Sequence, residues 1–260
     1  MTNLLTLVAV EFVKTSRPLL RSTGITAAVL AIGLVSAPAQ SFLFDFGAAA
    51  TPTDHAASPD DPVNYWNNVT DATAINPAGQ LTNLVTINNS SSTLGFQMLS
   101  RFGGANTVGT TASTLFPVDA TRDSLYGNTE LFSGLANIFP SFKLTGLDLG
   151  STYSFSFYAS RTGVSDNRET GYTINGGNNG FVAFNPANNV DGISTTVSGI
   201  LPTASGEITI SLAPTANNNN ANHFTYLGVM RVDAVPEPSS WLLALGGVGL
   251  LMVVNRRRTR

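Results

Sequence analysis

Tyr153-Ser154-Phe155-Ser156-Phe157 is the stretch that decides the fold class. Its rings fall at every second position with hydroxyls between them, the period of an extended chain that buries one face and wets the other. A helix would scatter the same rings around its circumference. Ile208-Thr209-Ile210-Ser211-Leu212 repeats the pattern with aliphatic residues. Working outward, runs of period two between Gly, Asn and Pro clusters predict strands over 42–46, 84–88, 94–99, 142–144, 153–159, 172–174, 181–184, 194–197, 208–212 and 226–232. No segment of this body has the periodicity of a soluble helix. About ten short strands without a repeat of roughly 20–50 residues predict an all-β domain, a β-sandwich or jelly roll, spanning residues 40–233.

Gly146-Leu147-Asp148-Leu149-Gly150-Ser151-Thr152-Tyr153 leads into the deciding strand and has the form of a tyrosine corner, in which the ring hydroxyl bonds back to the turn. The body is also rich in Asn, with 22 between residues 40 and 233. Asn tolerates left-handed backbone and caps turns with its own amide, so this composition is mostly loop chemistry.

The chain has 260 residues, no Cys, two His and a formal net charge of −3. That figure hides an asymmetry: residues 40–233 carry 14 acids against six bases, and the remaining bases collect at the two ends. An acidic body without a basic stripe is no partner for nucleic acid or anionic lipid, both of which need clustered Lys and Arg. The lack of Cys excludes a disulfide scaffold and a thiolate metal site.

Both ends look like addresses. Residues 1–39 combine a basic segment (Lys14, Arg17, Arg21), an apolar run over 25–35 and the small residues Ala37-Pro38-Ala39, the three parts of a secretory signal cut after Ala39. At the other end, residues 234–260 place Pro236-Glu237-Pro238 before an apolar helix predicted over 241–254, followed by Arg256, Arg257 and Arg258. Fourteen helical residues rise about 21 Å, short of a hydrocarbon core of roughly 30 Å, so the segment crosses only with thinning or help from its flanks. The Arg cluster sets the tail on the inner side, and Trp241 falls at the outer interface.

Pro-Glu-Pro, apolar segment and terminal Arg cluster together resemble the PEP-CTERM sorting signal of exported proteins in Gram-negative bacteria. The resemblance implies general secretion followed by processing by an exosortase, an integral-membrane cysteine protease that recognises Pro236-Glu237-Pro238. It implies an inner-membrane intermediate and delivery to the cell surface or extracellular matrix. The rigid, extended tripeptide would keep the chain out of helix just outside the bilayer.

The body offers a second, looser likeness. Phe44-Asp45-Phe46-Gly47, Tyr65-Trp66-Asn67-Asn68-Val69, Tyr158-Ala159-Ser160-Arg161 and Val229-Met230-Arg231-Val232 resemble segments of galactose-binding-like and malectin-like jelly rolls. What this implies is carbohydrate binding, with an extracellular polysaccharide as the expected partner.

Candidate chemistry is sparse. There is no Gly-x-Ser-x-Gly elbow, Ser-x-x-Lys, His-Glu-x-x-His or P-loop, and His55 and His223 lie in polar loops without a local Ser partner. A glycan hydrolase would need two facing carboxylates, and Asp60-Asp61 or Asp166 with Glu169 supply acids without showing that they face each other. No cofactor motif is present; calcium is the ion that the oxygen donors suit, at Asp45, Asp54, Asp60, Asp61 or along Asn188-Asn189-Val190-Asp191-Gly192. The last stretch lacks the full Asp-x-Asp-x-Asp-Gly spacing and its bidentate Glu, and turn chemistry favours reading it as an Asx turn into the strand at Ile193. For a sugar, Tyr65 and Trp66 supply ring faces while Asn67 and Asn68 supply amides, although Trp66 is also the kind of residue that fills a core. Arg161 either joins that rim or pairs internally with Glu169. The expected protein is an exported, non-catalytic carbohydrate-binding or structural module, with a two-carboxylate glycan hydrolase as the alternative.

Overall fold

The computed structural model describes residues 39–49, 63–194 and 196–237. The expected secretory signal up to residue 38, His55, Asp54, Asp60, Asp61, Pro238, the apolar segment 241–254 and Arg256–Arg258 lie outside the described residues. Among the described residues no helix is long and apolar enough to cross a membrane.

The strands are β1 (Gln40–Gly47), β2 (Asn67–Thr70), β3 (Gln80–Leu81), β4 (Gly95–Ser100), β5 (Gly104–Asn106), β6 (Ser124–Gly127), β7 (Ser141–Thr145), β8 (Ser151–Tyr158), β9 (Thr170–Asn175), β10 (Asn179–Phe184), β11 (Val197–Ile200), β12 (Ile208–Pro214), β13 (Thr225–Leu227) and β14 (Val229–Pro236). Among the described residues helix is confined to two single turns, Asp71–Ala74 and Val118–Thr121.

Two sheets carry the sandwich, in the orders β11-β8-β14-β1-β2 and β10-β9-β12-β7-β4-β3, and a small third sheet, β13-β6-β5, completes it. The inward rings that the sequence predicts do meet: Tyr153, Phe155 and Phe157 of β8 and Phe42, Phe44 and Phe46 of β1 pack against Phe96, Phe142, Tyr172, Ile208, Ile210 and Leu212 of the facing sheet. Phe157 and Tyr172 stack across that interface with centroids 4.3 Å apart and planes within 2°. Large rings contributed by both sheets supply much of the apolar area that this core buries.

The tyrosine corner forms as expected. The Tyr153 hydroxyl accepts the Asp148 N–H at 2.8 Å, and the Asp148 carboxylate takes the Ser151 hydroxyl at 2.8 Å. Gly146 opens this turn with φ +71, where a Cβ would lie 2.1 Å from the Thr93 carbonyl oxygen. Only glycine fits there.

Three strand expectations are corrected. Residues 84–88 do not form a strand, because Asn89 turns the chain at φ +58 and the Thr86 N–H bonds the Ser90 carbonyl at 3.0 Å. The predicted run 226–232 divides at Gly228 into β13 and β14, which belong to different sheets. The run over 194–197 shifts toward the C-terminus as β11, whose register slips between Val197 and Ile200 around Gly199 at φ +73. Four short strands, β2, β3, β5 and β6, lacked enough residues for an alternation to be visible.

Candidate binding cleft

The segment expected to line a sugar rim is divided by the structure. Trp66 is fully buried beneath the outer face of the β8-β14-β1 sheet, packed with Leu43, Ala120, Tyr158 and Val229. Phe116 meets its ring edge-on at 6.1 Å. The indole therefore has no face to offer a sugar, and the physical reason is the chain over 108–121, which covers that side of the sheet. Asn67 is buried too, and its amide is committed: the Nδ2 donates to the Leu43 and Val85 carbonyls at 3.1 and 2.9 Å, and its Oδ1 accepts the Val85 N–H at 2.9 Å. Tyr65 and Asn68 are half-buried beside them.

Aromatic groups converge elsewhere. The small sheet and the chain beside it enclose a cleft of about 350 Å³, whose wall includes Asn106, Tyr126, Phe132, Arg161, Arg168, Phe224 and Tyr226. Tyr126 reaches it from β6, Tyr226 from β13, Phe132 and Phe224 from the adjoining loops. The rings brace one another: Phe132 meets Phe224 at 4.9 Å and 83°, and Tyr126 meets Phe224 at 5.4 Å and 90°. Edge-to-face contacts of this kind fix ring orientation as well as burying area.

Arg168 is the cleft's anchored cation. Its Nε and Nη2 donate to the Asp166 carboxylate at 2.8 and 3.2 Å, and its Nη1 donates to the Tyr226 hydroxyl at 2.6 Å. The guanidinium also lies 5.6 Å over the Phe224 ring and 5.9 Å over the Tyr226 ring. Hydrogen bonding from Arg168 holds the Asp166 carboxyl below its ordinary value. Burial raises the Tyr226 hydroxyl, against the opposing pull of Arg168 and Arg161, so it stays a neutral phenol. Arg161 is half-buried on the cleft wall and donates to the Thr162 carbonyl. Its expected alternative partner, Glu169, instead accepts from Thr215 and from the Asn217 amide at 2.5 and 2.9 Å.

The remaining sequence candidates take structural positions. Among the described residues no three His, Asp or Glu side chains gather as a metal ion would require. Asp45 is buried in β1. Along 188–192 the turn reading holds: the Asn189 Oδ1 accepts the Gly192 N–H at 2.7 Å, and Asp191 receives Ser113 and the Thr114 N–H at 2.9 and 2.7 Å. The His223 Nδ1 lies 3.1 Å from the Thr129 hydroxyl.

Comparison with solved structures gives partial likenesses. The ANX2 ectodomain from Arabidopsis thaliana is 13% identical over 76% of this chain and 51% of its own, with TM-score 0.46. The plant receptor-like kinase FER is 15% identical over 76% and 50%, with TM-score 0.44. FER in complex with the peptide RALF23 and LLG2 is similar at 13% identity over 74% and 48%, with TM-score 0.45. The chain spans about half the length of these structures. No curated protein matches it. Residues 234–258 match the PEP-CTERM protein-sorting motif, so the chain carries the sorting signal of an exported protein.

Proposed function

We propose that the chain is processed by an exosortase and delivered to the cell surface or extracellular matrix, where its sandwich acts as a non-catalytic module that binds an extended polysaccharide in the aromatic cleft. The observation that carries this reading is the convergence of Tyr126, Phe132, Phe224 and Tyr226 with Arg161 and Arg168 on one cavity wall. Ring faces stack on the C–H faces of sugars, and guanidinium groups donate to hydroxyls in a fixed fork. Hydrolysis would call for a carboxyl with a raised pKa, whereas Asp166 is lowered and spent on holding Arg168.

Position supports the same reading. β14 starts at Val229, beside the small sheet, and ends at Pro236, opposite Ser151. Eight residues at about 3.3 Å each put roughly 23 Å between the two ends. The cleft therefore stands at the far pole from the point where the chain leaves for the sorting segment.

Glycan-array binding of the secreted protein, followed by affinity measurement on the best hit, tests the proposal. Phe132→Ala and Arg161→Gln should each weaken binding by about tenfold, the loss of roughly 1.4 kcal/mol, while the domain stays folded at the assay temperature. Binding at full strength in both variants would overturn it.

A further inference from the structure

The sorting tripeptide begins inside the folded sheet. β14 runs without interruption through Val235 and Pro236, which face Thr152 and Ser151 of β8, and the Glu237 N–H donates to the Gly150 carbonyl at 2.9 Å. That single bond sets the parity of the ladder: Glu237 turns its N–H toward β8, so the neighbouring Pro236 turns its nitrogen away from β8. On that far side β1 has already ended, since Gln40 faces Ala234. The ladder therefore accommodates proline where the missing N–H breaks no bond. Gly150, which holds Glu237, is itself fixed by the tyrosine corner through its N–H to the Asp148 carboxylate at 3.2 Å.

Only Pro238, Ser239 and Ser240 separate Glu237 from the apolar run 241–254. Three residues reach at most about 10 Å. A membrane-embedded protease working on Pro236-Glu237-Pro238 would thus find β8 only about 4.8 Å from the strand it must enclose, with the whole sandwich behind it.

We propose that the β14–β8 pairing gates processing: the tripeptide becomes a protease substrate only when the end of β14, from Val235 onward, peels away from β8. This rests on the processing proposed above. The folded sandwich then slows its own cleavage.

The test is pulse–chase of the full-length chain in a Gram-negative host that processes proteins carrying this motif. A flexible Gly/Ser hexapeptide inserted between Val235 and Pro236 frees the tripeptide and should speed cleavage at least fivefold. Thr152→Pro, which deletes the β8 N–H facing Val235 and leaves the signal intact, should also speed it. The same hexapeptide inserted between Pro238 and Ser239 lengthens the tether without unpairing the strand and should be cut at the parent rate. Equal rates in all forms, or equal acceleration by both insertions, would overturn the gate while leaving processing in place. Absence of cleavage in every form would remove processing and the gate with it.

Discussion

Gln40 faces Ala234 across the antiparallel β1–β14 ladder. The residue expected to follow signal cleavage and the residue at which the matched sorting motif begins are thus side by side at one pole of the sandwich. Just beyond them the Ser41 hydroxyl donates to Asp233 at 2.5 Å. The first and last strands of the described sandwich therefore both have their outer ends at this pole.

Two cuts at this pole are expected to produce the mature protein. Intact-mass measurement of surface-extracted material should give a chain that starts at Gln40 and ends near Pro236-Glu237-Pro238. Retention of the Arg256–Arg260 tail in most molecules would contradict this outcome.

Trp66→Ala should cost about 3–5 kcal/mol of folding stability, the range for emptying a core aromatic site. Phe132→Ala, at a ring that is 38% exposed and rests edge-to-face on Phe224, should cost only about 1 kcal/mol. Thermal unfolding of the two variants side by side separates the buried indole from the cleft rings.

Tyr153→Phe removes the hydroxyl that caps the Asp148 N–H. A loss of about 1 kcal/mol is expected, or roughly 2–4 °C in melting for a domain of this size. Denaturant melts should show the midpoint falling with an unchanged slope, since the core rings stay in place.

The Asp166–Arg168 pair should make stability depend on acid pH. Because Arg168 lowers the folded-state pKa of Asp166, the stabilisation is complete above the unfolded-state value of about 3.9 and is lost as pH falls through the folded value. Asp166→Asn should therefore melt below the parent at pH 7 and approach it as the pH is lowered from about 5 toward 2. A gap that stays constant over that range would show that the carboxylate charge contributes nothing.

What could be read from the sequence follows the range of each interaction. The alternation in β8 and β12 records a local rule, side chains pointing alternately to two faces, so those strands and their buried sides were legible. The tyrosine corner was legible for the same reason, as Asp148 and Tyr153 lie in one turn. The cleft was not. Tyr126, Phe132, Arg168 and Phe224 come from separate parts of the chain, and only the crossing of the chain at Gly228 from the small sheet into β14 brings them together. Arg161 stands out in the sequence, but as part of a rim beside Trp66 rather than of this cleft. The burial of Trp66 and Asn67 is not legible in the sequence, because the chain over 108–121 that covers them has no helical or strand period to announce it.

The two-residue β3, the four-residue β2 and the slipped β11 stand at three of the four margins of the two large sheets. Margins this short or irregular offer little backbone for a neighbouring molecule to extend, which is how natural sheets avoid edge-to-edge aggregation. The margin that keeps its length is β10, six residues with Phe181 exposed, so a strand added from outside would find most of its backbone partners there.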